Sequence, residues 1–92
     1  MSEIGKAPHT LVITNDFPPR DGGIQTFVFE LVNRFDPTTV TVLASDYDGA
    51  HEFDSTLNFR VVRADTRTLL PTKTTRNLAR QIVVEAGATR VV

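Results

Sequence analysis

The apolar positions of this chain change their spacing several times, and each change marks an element. Leu11, Val12 and Ile13 are consecutive and flanked by Thr10 and Thr14, a β-branched run that predicts a short strand buried on both faces. From there the apolar residues are Ile24, Phe27, Val28, Leu31, Val32 and Phe35. Steps of three and four predict one face of an α-helix. Asp36-Pro37 stops it, because the residue before proline is pushed out of the helical region. Val40 to Ala44 reads as a second strand, Ala50 to Ser55 as a short helical turn, and Leu57 to Arg63 as a third strand with Phe59, Val61 and Val62 in the core. Thr72 or Thr74 caps another helix running to about Ala86, with Leu78, Ala79, Ile82, Val83 and Ala86 facing inward. Gly87 suits its end, and Ala88 to Val92 begins a fourth strand. This alternation predicts an α/β fold: a Rossmann-like parallel sheet of right-handed βαβ units.

Between the first strand and the first helix, Asn15 to Gly23 holds two prolines and two glycines, so neither element can continue through it. Gly22 and Gly23 stand where the helix begins. The bland reading is that the pair lets the chain turn. The sharper one is a phosphate cradle: the first N–H groups of a helix lack internal partners and lie at its positive end, and glycine lets an anion come close. In an open α/β sheet such a loop lies at the carboxyl end of a strand, where ligands usually bind. Asp16 can accept from a sugar hydroxyl or cap a turn. Arg20 can meet a phosphate or solvent. Gln25, off the apolar face, offers both a donor and an acceptor.

With 92 residues, 40% hydrophobic and 23% charged, the chain has an ordinary globular composition, at the small end for one domain and too short for two. Residues 1–9 form a short lead-in and residues 10–92 the domain. The absence of cysteine excludes disulfides and thiolate metal sites. No apolar run approaches the roughly 20 residues that span a bilayer, and MSEIGKAPH lacks the apolar core of a signal peptide. Cytoplasmic residence is the expectation. The net charge is −1, but six cations from Arg60 to Arg80 face Asp65 alone, which makes that segment +5 and the remainder −6. Such asymmetry fits either a solvated surface or a face for anionic partners. Nucleic acid is disfavoured, because the segment holds no aromatic residue for stacking.

The remaining candidates are weaker. Asp46-Tyr47-Asp48 lacks the glycine and distal glutamate spacing of a calcium loop and reads as a turn. His51 and Glu52 are adjacent rather than four apart, so they form no helical metal pair, and His9 has no partner nearby in sequence. Neither a Walker A motif nor GxSxG is present. Asp65 to Thr74 is a second functional-looking loop, combining Arg67 and Lys73 with Leu69-Leu70-Pro71. Leucines beside cations suit a membrane surface, although leucines buried under a loop are the commoner case.

The string NDFPPRDGGIQTF, between a strand and a helix, resembles the first loop of family 4 glycosyltransferases of the GT-B fold. It is most similar to the branch that mannosylates phosphatidylinositol mannosides with GDP-mannose. The resemblance is strongest over Thr10 to Phe35 and looser through Leu70-Pro71-Thr72 to the end. It implies a retaining glycosyltransferase with two Rossmann-like domains, no metal and no bound cofactor, a nucleotide-sugar donor and a lipid-linked or glycan acceptor. It further implies contact with an anionic membrane at the inner face of the plasma membrane. By this resemblance Gly22 and Gly23 meet the donor phosphates, and Gln25 reaches the acceptor headgroup, with Asp16 and Arg67 as further acceptor contacts. Neither the acidic motif of the family's second domain nor its N-terminal histidine is found, so no catalytic residue is assigned. Val91 and Val92 carry no turn or cap after them, which suggests a truncated N-terminal half-domain awaiting a C-terminal domain. The alternative is a small non-catalytic α/β module that binds phosphate or nucleotide.

Overall fold

A computed structural model describes residues 8–92; most of the lead-in assigned to residues 1–9 lies outside the described residues. Four parallel strands, β1 (His9–Thr14), β2 (Val40–Ser45), β3 (Arg60–Ala64) and β4 (Ala88–Val91), form one sheet in the order β3-β2-β1-β4. Helices α1 (Gly23–Val32), α2 (Ala50–Asp54) and α3 (Lys73–Ala86) alternate with them. Register is continuous from Thr10 opposite Val40 to Thr14 opposite Ala44, and from Thr41 opposite Arg60 to Ser45 opposite Ala64. The α/β, Rossmann-like parallel arrangement is therefore as the alternation predicts.

The strand order explains where each helix lies. β1 leads outward to β2 and β3, then the chain returns across the sheet to β4. Right-handed crossovers consequently place α1 and α2 on one face and α3 on the other. Successive strand residues point to opposite faces. Val40, Val42 and Ala44 meet Phe17, Val28, Phe29, Val32 and Phe53 on the first face. Leu11, Leu43 and Ala64 meet Leu78, Ala79, Ile82 and Val83 of α3 on the second. Thr72 Oγ1 accepts from the Thr75 N–H and caps α3, and Gly87 ends it in the left-handed region at φ 66°.

Two expectations shift. β3 begins at Arg60 rather than Leu57, because the Thr56 and Leu57 N–H groups close α2 on Phe53 and Asp54 carbonyls. The packed face of α1 is also rotated. Val28, Phe29, Val32 and Phe35 lie against the core, whereas Ile24, Phe27 and Leu31 are exposed. At 100° per residue this is a turn of about 60° from the expected stripe. Its cause is aromatic: Phe29 joins Phe17, Phe53 and Phe59 in a cluster with ring centroids 5.6 to 6.3 Å apart. No helix among the described residues is long and apolar enough to cross a membrane.

Candidate functional site

The loop from Asn15 to Gly22 leaves β1 at the carboxyl edge of the sheet and turns into α1. Among the described residues, no backbone–backbone hydrogen bond involves residues 17–21. Side chains hold the loop instead. The Phe17 ring is fully buried in the aromatic cluster. The Asn15 carboxamide pairs with the Leu69 backbone, accepting from its N–H at 2.6 Å and donating to its carbonyl at 3.3 Å. Arg20 donates to the Arg67 carbonyl at 3.0 Å and stacks on the Tyr47 ring at 4.8 Å. The loops that follow β1, β2 and β3 are thereby joined into one rim.

Gly22 and Gly23 have different tasks. Gly22 is the N-cap of α1 at φ 147°, ψ 165°, a backbone region essentially closed to other residues. A Cβ there would also collide with Gln25 Oε1, the far end of a side chain. Gly23 is the first helical residue, and a Cβ there would meet nothing within 4 Å. No side chain caps the helix. The N–H groups of Gly23, Ile24 and Gln25 have no partner among the described residues, while the Thr26 N–H makes the first helical bond, to the Gly22 carbonyl at 3.1 Å. Three unpaired donors at the positive end of a helix dipole, with open space where a Gly23 side chain would stand, form an anion-ready surface.

Gln25 folds back over Gly22 and donates from Nε2 to Asp16 Oδ1 at 3.3 Å. The structure thus brings Gly22, Gly23, Gln25 and Asp16 together. Arg67 does not join them directly. Its guanidinium pairs with Asp48 and lies 5.7 Å from the Tyr47 ring centroid, and among the described residues Arg67 meets the loop through its backbone carbonyl, which accepts from Arg20. On the α3 side of the rim an open cleft of about 510 Å³ is lined by Ile13, Asn15, Leu69, Leu70, Pro71, Thr75 and Arg76. Leu69 packs against the core and Leu70 is exposed, so the two leucines divide between the two readings.

The basic segment is partly neutralised. Arg60 pairs with Glu85, Arg63 with Asp54 and Arg67 with Asp48. Among the described residues Lys73, Arg76 and Arg80, all on α3, form no ion pair. Hydrogen bonds from Arg60 and then from Gln81 hold the Glu85 carboxyl below its ordinary value. His9 finds a partner across the sheet, with Nε2 2.9 Å from Thr41 Oγ1. No cluster of three or more potential metal ligands occurs among the described residues.

Sequence reasoning missed Phe17, Asn15, Tyr47 and Arg63. Their partners lie far away along the chain: Asn15 bonds a residue 54 positions on, and Arg63 one 45 positions back. The one local signal was Phe17, a large apolar residue within an otherwise polar loop.

No protein-family model matches the chain. It is similar to a GDP-mannose-dependent monoacylated alpha-(1-6)-phosphatidylinositol monomannoside mannosyltransferase of Corynebacterium glutamicum, 42% identical over 78 residues, which is 83% of this chain and 20% of that protein. It is 40% identical over 82 residues to a GDP-mannose-dependent alpha-(1-6)-phosphatidylinositol monomannoside mannosyltransferase of Mycolicibacterium smegmatis, covering 82% of this chain and 21% of the relative. The enzyme of the same name from Mycobacterium tuberculosis is 38% identical over 81 residues, with 82% and 21% covered. The chain spans about a fifth of the length of these curated relatives.

Proposed function

We propose that this chain carries the donor-phosphate loop, and part of the acceptor wall, of a retaining mannosyltransferase that moves a mannosyl group from GDP-mannose to a phosphatidylinositol mannoside. The observation that carries this reading is the uncapped start of α1, with clear space in front of Gly23. It coincides with similarity to mannosyltransferases along most of the chain. The Gly23 N–H and its helical neighbours donate to the donor's diphosphate and stabilise the charge that develops as the sugar leaves. Gln25 and Asp16 offer carboxamide and carboxylate atoms to acceptor hydroxyls, and Arg67 offers a guanidinium at the rim. No metal is needed in this reading. The apolar floor of the 510 Å³ cleft, with Arg76 at its side, suits an amphiphilic acceptor.

Magnitudes say what this loop can do alone. Two charge-assisted hydrogen bonds contribute about 3–6 kcal/mol, whereas micromolar binding requires about 8 kcal/mol. The guanosine and the remaining phosphate contacts therefore need other protein groups. In this reading a second Rossmann-like domain, on polypeptide beyond this chain, supplies them together with the acidic residues. The protein works in the cytoplasm, peripheral to an anionic membrane, with Lys73, Arg76 and Arg80 of α3 and the exposed Leu70 near the lipid.

The test is transfer of radiolabelled mannose from GDP-mannose to phosphatidylinositol monomannoside by the full-length protein, without added metal. Product whose anomeric configuration matches the donor's is the expected result. Binding of GDP with no transfer to any glycolipid would instead support the non-catalytic module.

A further inference from the structure

Arg63 occupies the penultimate position of β3 with its side chain only 12% exposed. Its guanidinium meets three separate pieces of the carboxyl rim. Nε and Nη2 donate to the two carboxylate oxygens of Asp54 at 3.0 and 2.9 Å. Nη1 donates to the Ser45 carbonyl at 3.0 Å, and Nη2 also donates to the Pro18 carbonyl at 2.7 Å. The guanidinium carbon lies 5.5 Å from the centroid of the Phe17 ring. Burying a cation is costly unless it is paired and hydrogen-bonded, and here the bidentate carboxylate satisfies the charge. That leaves the remaining donors free to fix backbone.

We infer that Arg63 is a positioning residue for the donor-phosphate loop: through the Pro18 carbonyl and the Phe17 ring it sets where Gly22 and Gly23 stand. Neither Pro18 nor Pro19 has an N–H, and residues 17–21 make no backbone–backbone hydrogen bond among the described residues. The loop cannot hold its own course. Pro18 lies only a few residues before Gly22, so a shift there is passed on to the first N–H groups of α1. The fork geometry is essential, since an ammonium is a point donor and cannot span a carboxylate and two carbonyls at once.

This inference rests on the mannosyltransferase reading for its kinetic consequence, but not for its structural one. Two variants of the full-length protein test both: Arg63→Lys keeps the charge, and the double variant Arg63→Met with Asp54→Met removes the pair without leaving a buried lone carboxylate. Backbone order parameters over residues 16–23, from nitrogen-15 relaxation, are measured alongside KM and kcat for GDP-mannose, well below each variant's melting temperature. Both variants are expected to lower the order parameters of this segment to below about 0.6 while those of β1 and β2 stay near about 0.85, as loss of a local tether does. The KM for GDP-mannose is expected to rise by about tenfold or more, with the acceptor KM little changed. A lower melting temperature with unchanged loop order parameters and unchanged donor KM would overturn the inference and leave Arg63 a structural residue. If the wild type transfers no mannose, the functional reading has failed. Loop order then decides alone: a fall supports the clamp, and no change overturns it.

Discussion

At the scale of single residues, two adjacent glycines separate structure from chemistry. Gly22 adopts a backbone region that other residues reach only with strain, and its α-carbon faces the folded-back Gln25. Gly22→Ala is expected to destabilise the protein by about 1–3 kcal/mol, visible as a lower denaturation midpoint. Gly23 has helical geometry and open space. Gly23→Val is therefore expected to change stability by less than about 1 kcal/mol. Its branched side chain would stand where the proposed function seats a phosphate, so on that reading GDP affinity measured by calorimetry should fall about tenfold or more. Equal effects of the two substitutions on stability would contradict this division. A further residue tests the packing itself. Thr10 is 1% exposed and its Oγ1 has no hydrogen-bond partner among the described residues. Thr10→Val keeps the shape and removes the stranded hydroxyl, so it should stabilise by about 1 kcal/mol in chemical denaturation.

At the scale of elements, the order of strands and helices was legible because several changes of apolar spacing coincide with a breaker: Pro18-Pro19, Asp36-Pro37 and Gly87. The orientation of α1 was not. Its apolar residues cover so wide an arc that spacing alone cannot say which half meets the sheet. The answer came from Phe17, a loop residue that gathers Phe29 and Phe53 around it. Phe17→Ala should consequently cost about 3–5 kcal/mol. Phe27→Ala, on the 66% exposed side of the same helix, should stay within about 0.5 kcal/mol. Urea titration of both variants compares them directly; the reverse order would restore the face that periodicity suggested.

The link from α1 to β2 adds a pH signature. Asp36 Oδ1 accepts from the Thr38 N–H at 2.9 Å and from its hydroxyl at 2.8 Å. The backbone bond first, then the side-chain bond, lowers the Asp36 pKa from 3.8. A carboxyl depressed in the folded state contributes fully above its unfolded pKa, and the contribution disappears as pH falls through the folded value. Asp36→Ala should therefore lower the melting temperature at neutral pH and make progressively less difference in acid. A difference independent of pH would refute this account of the turn.

At the scale of the whole molecule, the parallel sheet gathers three loops on one edge, and side chains distant in sequence tie them together. The position of the glycine pair at that edge could be read from the strand–loop–helix order alone. The tethers could not: Arg63 to Pro18, Asn15 to Leu69 and Arg20 to Arg67 exist only once β1, β2 and β3 lie side by side. Charge behaves similarly. Among the described residues, a segment that reads +5 along the chain retains only the α3 cations as unpaired once Arg60, Arg63 and Arg67 meet carboxylates.

The most direct measurement is a crystal structure of the full-length protein with GDP-mannose bound. A diphosphate oxygen about 3 Å from the Gly23 nitrogen, within hydrogen-bonding reach, is the expected result. A diphosphate seated elsewhere, with the start of α1 covered by protein, would contradict the account.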